Sequence, residues 1–223
     1  MKETIYHGSA EIIERPKYHG GKRYNDYGYG FYCTKERSLA CEWAVTPDHD
    51  GFVNHYEIDT DDLRIVDINA HGVLSWLSVL LQNRTFNTIS PLALEAKDYL
   101  IKHFNIDLRG ADIVIGYRAD DSYFSFAQDF ISGAISVRQL GEAMRLGKLG
   151  EQFVLRSRRA HERVRFVNAD RVARAQYLSV REARERTARQ TYYQSTKSGR
   201  RKGDIYITQI LDEEMKHDDT RLQ

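Results

Sequence analysis

Strand-like stretches of two kinds occur in this chain, and helical stretches separate them without a regular rhythm. Phe52-Val53-Asn54-His55-Tyr56-Glu57-Ile58 alternates apolar and polar residues, as a strand with one buried face does, and Leu63 to Ile68 follows the same pattern. Asp112-Ile113-Val114-Ile115-Gly116 is instead a continuous apolar run, which a buried central strand explains. Gln152-Phe153-Val154-Leu155 and Val164-Arg165-Phe166-Val167 read as further strands, and another begins directly after Met1-Lys2-Glu3. Helical spacing covers Val73 to Leu81, Leu92 to Phe104 and about Val137 to Leu146, with Ser90-Pro91 offering a capping hydroxyl and a first-turn proline. Thr34 reads as the N-cap of a helix from Lys35 to Ala44, stopped before Pro47. A doubly wound sheet needs repeated strand-helix-strand units, so this order predicts an α+β fold.

The chain of 223 residues, 41% of them hydrophobic, is long enough to bury a substantial core. We expect one core domain over residues 1–176 and a helical extension over residues 177–223. The boundary is set by charge. Tyr177 to Gly203 carries eight basic and two acidic residues, so 8 − 2 leaves +6, whereas Asp204 to Gln223 turns acidic. Ile205, Ile207, Ile210 and Leu211 give that last stretch an amphipathic pattern suited to docking. A formal net charge of +1 gives no global case for binding nucleic acid or membrane, so any such case is local. In the basic stretch, Tyr177, Tyr192 and Tyr193 are interleaved with arginines, which suits either nucleic-acid contacts or a solvated, partner-docking helix face.

No segment approaches the ~18 consecutive apolar residues of a membrane span, so a cytoplasmic protein without membrane contact is expected. Cys33 and Cys41 have no metal-ligand spacing around them and read as free thiols. The histidines show no paired metal spacing and no Gly-x-Ser-x-Gly elbow occurs, so no metal site and no serine nucleophile are expected.

Two short motifs carry the functional signal: Tyr6-His7-Gly8-Ser9, and Gly28-Tyr29-Gly30-Phe31-Tyr32-Cys33-Thr34 about twenty residues later, followed by a helical stretch with Ala40 and Trp43. Their order resembles the histidine-tyrosine-glutamate class of ADP-ribosyltransferases. Within it the chain most resembles the DUF3990 family of bacterial ADP-ribosyltransferase-like proteins. The likeness continues through Asp112 to Gly116, Ala119-Asp120-Asp121, Ile131-Ser132-Gly133 and Glu151-Gln152-Phe153, and reaches Ile210 to Met215. It implies a split β-sheet core with surrounding helices. It also implies NAD as co-substrate, a macromolecular acceptor (protein or nucleic acid), and a toxin role in a toxin-antitoxin or phage-defence pair, with an antitoxin protein as a possible partner.

The resemblance also implies roles for single residues. His7 would hydrogen-bond a ribose of NAD. Gly8, lacking a Cβ, would leave its backbone open to the nicotinamide carboxamide. Tyr32 would stack on the nicotinamide ring while the glycosidic bond lengthens and the ribose gains positive charge. Ser9, Asn25, Tyr27, Gly30, Phe31 and Trp43 would complete the NAD pocket. The segment Gly20 to Asp26 would wrap the pyrophosphate with amides and cations, or form a solvated surface loop.

The chain departs from the pattern at the third motif, where Gln152 stands in place of the glutamate. A glutamine can accept a bond from a ribose hydroxyl but cannot act as a general base or bring a full negative charge. Either Gln152 positions the ribose while another acid does the electrostatic work, or activity is weak or absent. Asp120 and Asp121 are the substitute acids, unless they cap a helix, with Glu151 next. Strand alternation turns Glu151 away from Gln152. The missing glutamate points to transfer of a single ADP-ribose rather than chain elongation. The alternative is a catalytically inactive module that binds NAD or ADP-ribose and acts through a partner or nucleic acid.

Overall fold

A computed structural model describes residues 1–119, 121–145, 150–197 and 199–222. The chain is α+β, with its strands divided between two sheets. In the first, β1 (Lys2–Ser9), β3 (Gly51–Asp59) and β7 (Val164–Val172) run antiparallel in the order β1-β3-β7. In the second, the order is β2-β6-β5-β4, from β2 (Phe31–Cys33), β6 (Glu151–Leu155), β5 (Ile113–Tyr117) and β4 (Ile65–Asp67). Among the described residues, β4 and β5 alone pair in parallel. The sheets meet at a bridge where Tyr6 and Thr34 exchange backbone hydrogen bonds of 2.8 and 2.9 Å.

Helices pack around these sheets: α1 (Arg37–Ala44), α2 (Val73–Asn83), α3 (Pro91–His103), α4 (Asp121–Ile131), α5 (Val137–Arg145), α6 (Arg158–Glu162), α7 (Arg174–Lys197) and α8 (Ile207–Asp212). Ser90 caps α3 as expected, its hydroxyl accepting from the Ala93 amide at 3.1 Å. Thr34 does not cap α1. Its backbone is committed to the bridge between sheets, its hydroxyl accepts from the Glu36 amide, and the helix starts at Arg37 rather than Lys35. The strand expected from Leu63 to Ile68 is shorter. Asp67 accepts from the Asn69 amide and turns Ile68–His71 into a 3-10 segment. β7 extends five residues beyond the expected Val167, to Val172, because β3 offers it a full-length partner. The expected helix from Val137 ends within the described residues at Arg145, and Leu146 lies outside them.

The main core lies under the second sheet, between β5 and β6 on one side and α2, α3, α4 and α5 on the other. Trp76 on α2 is fully buried, and its indole N–H donates to both the Tyr27 hydroxyl and the Tyr117 carbonyl at 3.1 Å. The C-terminal residues join this core. Tyr192 of α7 stacks on Phe126 with ring centroids 3.8 Å apart and donates to Asp129, while Ile207 and Ile210 of α8 are fully buried. Cys33 and Cys41 are free and buried.

Ion pairs fasten the C-terminal residues. Arg184 of α7 reaches buried Glu42 of α1 at 2.6 Å. Arg138 of α5 grips Asp204 through Nε (2.7 Å) and Nη2 (2.9 Å), and the Asp204 side chain is only 2% exposed. The bonds from Arg138 hold the Asp204 carboxyl below its usual range, so this stabilisation is present at neutral pH and is lost as pH falls through the depressed carboxyl value. Removing one partner strands a buried charge. Arg138→Ala should therefore lower unfolding stability by about 3 kcal/mol in urea titrations at pH 7; a loss within experimental error would contradict the role given to this pair.

Candidate functional site

A cleft of about 780 Å³ opens where the two sheets meet, a size typical of small-molecule sites. Its walls come from the end of β1, the loop after it, β2, α1, β6, the segment after β5 and one face of α7. The bridge at Tyr6 and Thr34 places His7 one residue beyond it on β1 and Tyr32 two residues from it on β2. There the His7 Nδ1 lies 2.6 Å from the Tyr32 carbonyl oxygen. A carbonyl can only accept, so Nδ1 carries the proton and Nε2 is left as an acceptor in the neutral ring. Burial lowers the His7 pKa, partly opposed by the bond to Tyr32.

Tyr32 is held at both ends. Its hydroxyl donates to the Gly28 carbonyl at 2.7 Å and accepts from the Tyr27 amide at 3.0 Å, which fixes the ring as part of the cleft wall. Burial raises its phenol pKa well above the usual value, so it stays neutral. The ring of Phe31, 4.4 Å from that of His7, forms the adjoining surface. On β6, Gln152 also lines the cleft. It is 8% exposed, and its carbonyl Oε1 is buried with no hydrogen-bond partner among the described residues. The Trp43 indole N–H is likewise buried without an acceptor, and the Arg118 guanidinium lies 5.1 Å above that ring. A buried polar atom left unpaired costs about 1–3 kcal/mol; Ser78 Oγ, Arg156 Nε and His161 Nε2 are unpaired as well, and the Gln152 and Trp43 atoms are the two that belong to residues lining this cleft.

Of the expected residues, His7, Gly8, Asn25, Gly30, Phe31, Tyr32, Trp43 and Gln152 therefore converge on one cleft. Two do not line it. Ser9 is bonded to Asn54 and to the Glu11 carbonyl. Tyr27 is 1% exposed in the main core, tied through its hydroxyl to Trp76 and Tyr117. Gly8 also has a packing role: a Cβ there would sit 2.1 Å from the Ala40 carbonyl oxygen, so the glycine lets β1 pack against the α1 backbone. Asp120 lies outside the described residues; Asp121 begins α4, and its side chain also lies outside them. Glu151 faces away from the cleft, as alternation requires, and binds Asn69 at 2.7 Å.

Sequence reasoning missed part of the wall. Asp26 is a carboxylate 4% exposed within the cleft, anchored by Arg84 at 3.0 Å and by the Ala119 amide at 2.9 Å. From α7 come Arg181 and Glu185, paired to each other at 3.0 Å. Their spacing of four residues was visible as a helical ion pair, but nothing in it said where the helix docks. The segment Gly20 to Asp26 divides: Gly20, Gly21, Asn25 and Asp26 line the cleft, while Lys22, Arg23 and Tyr24 are exposed.

These features define an α+β protein with one polar, aromatic-walled cleft at the seam of a divided sheet. A family model described as a protein of unknown function, DUF3990, matches residues 3–166, and the chain belongs to that family. No curated protein and no solved structure matches it. Among the described residues, no helix is long and apolar enough to cross a membrane.

The hydrogen bond between His7 and Tyr32 makes a direct prediction. Nitrogen-resolved NMR should find His7 as the Nδ1-protonated neutral tautomer, with a midpoint below the usual imidazole value of about 6.5. Its folded pKa lies below the unfolded one, so the contribution of this histidine to stability is present above about pH 6.5 and declines as pH falls below it. A midpoint at or above 6.5, or the other tautomer, would contradict the assignment.

Proposed function

We propose that this chain is a mono-ADP-ribosyltransferase that uses NAD as co-substrate, within an ADP-ribosyltransferase-like split-sheet core. The observation that carries the reading is the unpartnered carbonyl of Gln152, set in the same cleft as His7 and Tyr32. A ribose hydroxyl is the donor that Gln152 lacks. The neutral His7 ring offers Nε2 as a second acceptor for the adjoining ribose, and the fixed Tyr32 ring offers a face for a flat heteroaromatic group. Trp43 supplies an N–H for an acceptor oxygen. Arg15 and Lys17, exposed at the cleft wall, suit a pyrophosphate.

Bound NAD supplies an electrophilic ribose carbon: its bond to nicotinamide breaks with the electron pair going to nicotinamide, and a nucleophile of the acceptor bonds in its place and releases a proton. The residues here hold the ribose and ring in register and keep the site partly shielded from water. As charge grows on the ribose, Asp26 is the buried carboxylate that lines the same cleft, and its attraction rises in the transition state. Arg84 and the Ala119 amide hold the Asp26 side chain in place. A single transfer, rather than elongation, follows from the amide at position 152. A role as a toxin with a cognate antitoxin rests on the family resemblance alone.

The same amide favours a second reading, a module that binds NAD without cleaving it, because Gln152 brings no charge of its own. One assay separates the two: nicotinamide release from labelled NAD by the full chain, with cell lysate as the source of acceptors. Transferase activity predicts release and label retained on a macromolecule, with a loss of about 100-fold in His7→Ala and an equal or higher rate in Gln152→Glu. Saturable NAD binding with no release would select the binding module. Undiminished release by folded His7→Ala would remove the cleft from the chemistry.

A further inference from the structure

We infer that the loop from Glu14 to Tyr29, on the rim of the cleft, docks single-stranded nucleic acid, and that an unpaired nucleotide is the acceptor of ADP-ribose. The acceptor half of this inference rests on the transferase reading; the docking half does not. Three tyrosines of this loop are exposed: Tyr18 (39%), Tyr24 (70%) and Tyr29 (42%). Two of them are already ordered. Tyr18, His19 and Tyr29 form a continuous stack with centroid spacings of 4.0 and 5.2 Å and interplanar angles of 27° and 26°. His19 holds a φ of 57° to keep its ring between them, a conformation uncommon outside glycine. The Arg158 guanidinium lies 5.5 Å over Tyr18.

Charge on the rim is matched to phosphate. Lys22 and Arg23 are exposed and, unlike Arg15 and Lys17, lie outside the cleft wall assigned to the pyrophosphate; none of the four forms an ion pair with a described residue. Glu14 is the single exposed acid of the loop, since Asp26 is buried against Arg84. Cations that track a backbone, interleaved with aromatic faces on which bases stack, are how proteins hold single strands. A duplex hides its base faces and has no use for the stack. A protein partner of ordinary affinity would need an apolar centre, and beyond these tyrosines the loop and its approach expose one large apolar side chain, Ile12, at 50%.

Position converts docking into chemistry. Gly20, Gly21, Asn25 and Asp26 of the same loop line the cleft, so a strand lying on Tyr18, Tyr24 and Tyr29 brings a nucleotide to its mouth. There a base nitrogen or a sugar oxygen attacks the ribose carbon of NAD, nicotinamide leaves with the bond's electron pair, and the proton of the nucleophile passes to water. The basic helix α7 is less suited to this task. Its Tyr192 is 3% exposed, Arg181 is paired with Glu185, and Arg184 with Glu42.

The test is fluorescence anisotropy of labelled twelve-residue single-stranded RNA, single-stranded DNA and duplex DNA with the full chain, at two salt concentrations. Saturable, salt-sensitive binding of single strands is expected. Tyr24→Ala/Tyr29→Ala should weaken it about tenfold or more, and Lys22→Glu/Arg23→Glu should flatten the salt slope by about 1.5 or more. Calorimetric NAD binding and thermal melting, which should not change in these variants, report on the cleft and the fold. A preference for RNA or DNA identifies the acceptor polymer. Absence of binding, equal binding of duplex, unchanged binding in the tyrosine variant, or label on protein with none on added oligonucleotide would each overturn the inference. Oligonucleotide binding without NAD cleavage would overturn the transferase reading and leave the docking surface standing.

Discussion

The backbone exchange between Tyr6 and Thr34 is the joint on which the rest of the site depends. It is the isolated bridge between two otherwise separate sheets, and it fixes the angle at which β1 and β2 diverge. One residue along from Tyr6 and two from Thr34, the bond from His7 to the Tyr32 carbonyl spans the opening wedge and sets the tautomer of the ring. Gln152 enters the same wedge through β6, which pairs with β2 in the register Tyr32 to Val154. Three residues far apart in sequence are thus brought together by strand pairing, and strands make firmer platforms than loops for a binding constellation.

Around that joint the protein spends its polar groups unevenly. In the main core, Trp76, Tyr27 and Tyr117 satisfy one another, and Asn54 on β3 uses its amide to hold the chain leaving β1 at Ser9 and Glu11. In the cleft, by contrast, Gln152 and Trp43 keep a buried acceptor and a buried donor unsatisfied. Ser78, Arg156 and His161 also keep a buried polar atom unpaired, but Gln152 and Trp43 are the two that line one cavity, which suits something that binds there. On the proposed reading, that something is NAD.

Much of this was legible in the sequence, for reasons that differ by element. The alternation from Tyr56 to Ile58 and the apolar run at Ile113 reported their burial, although on the same strand Asn54 is fully buried and Phe52 is not, and Ser90-Pro91 marked a helix start through local chemistry. His7, Tyr32 and Gln152 were found through the order of short motifs. What local pattern could not show was partnership across the chain. Tyr27 sits between two glycine-flanked motifs and was expected at the site, yet its hydroxyl belongs to Trp76 and Tyr117. Asp26 and Arg84 are 58 residues apart and become a pair only when α2 packs beside the loop. Arg181 and Glu185 looked like part of a solvated tail until α7 laid one face along the cleft. Gly8, expected for a ligand, lines the cleft and is also required by the α1 backbone.

The measurement that tests the central claim most directly is a crystal structure of the full chain with NAD or a non-cleavable analogue. We predict the nicotinamide ring against Tyr32, with a hydroxyl of its ribose donating to Gln152 Oε1 and a second ribose contact at His7 Nε2. A dinucleotide bound elsewhere, or bound in the cleft with the Gln152 carbonyl still unpaired, would contradict the account.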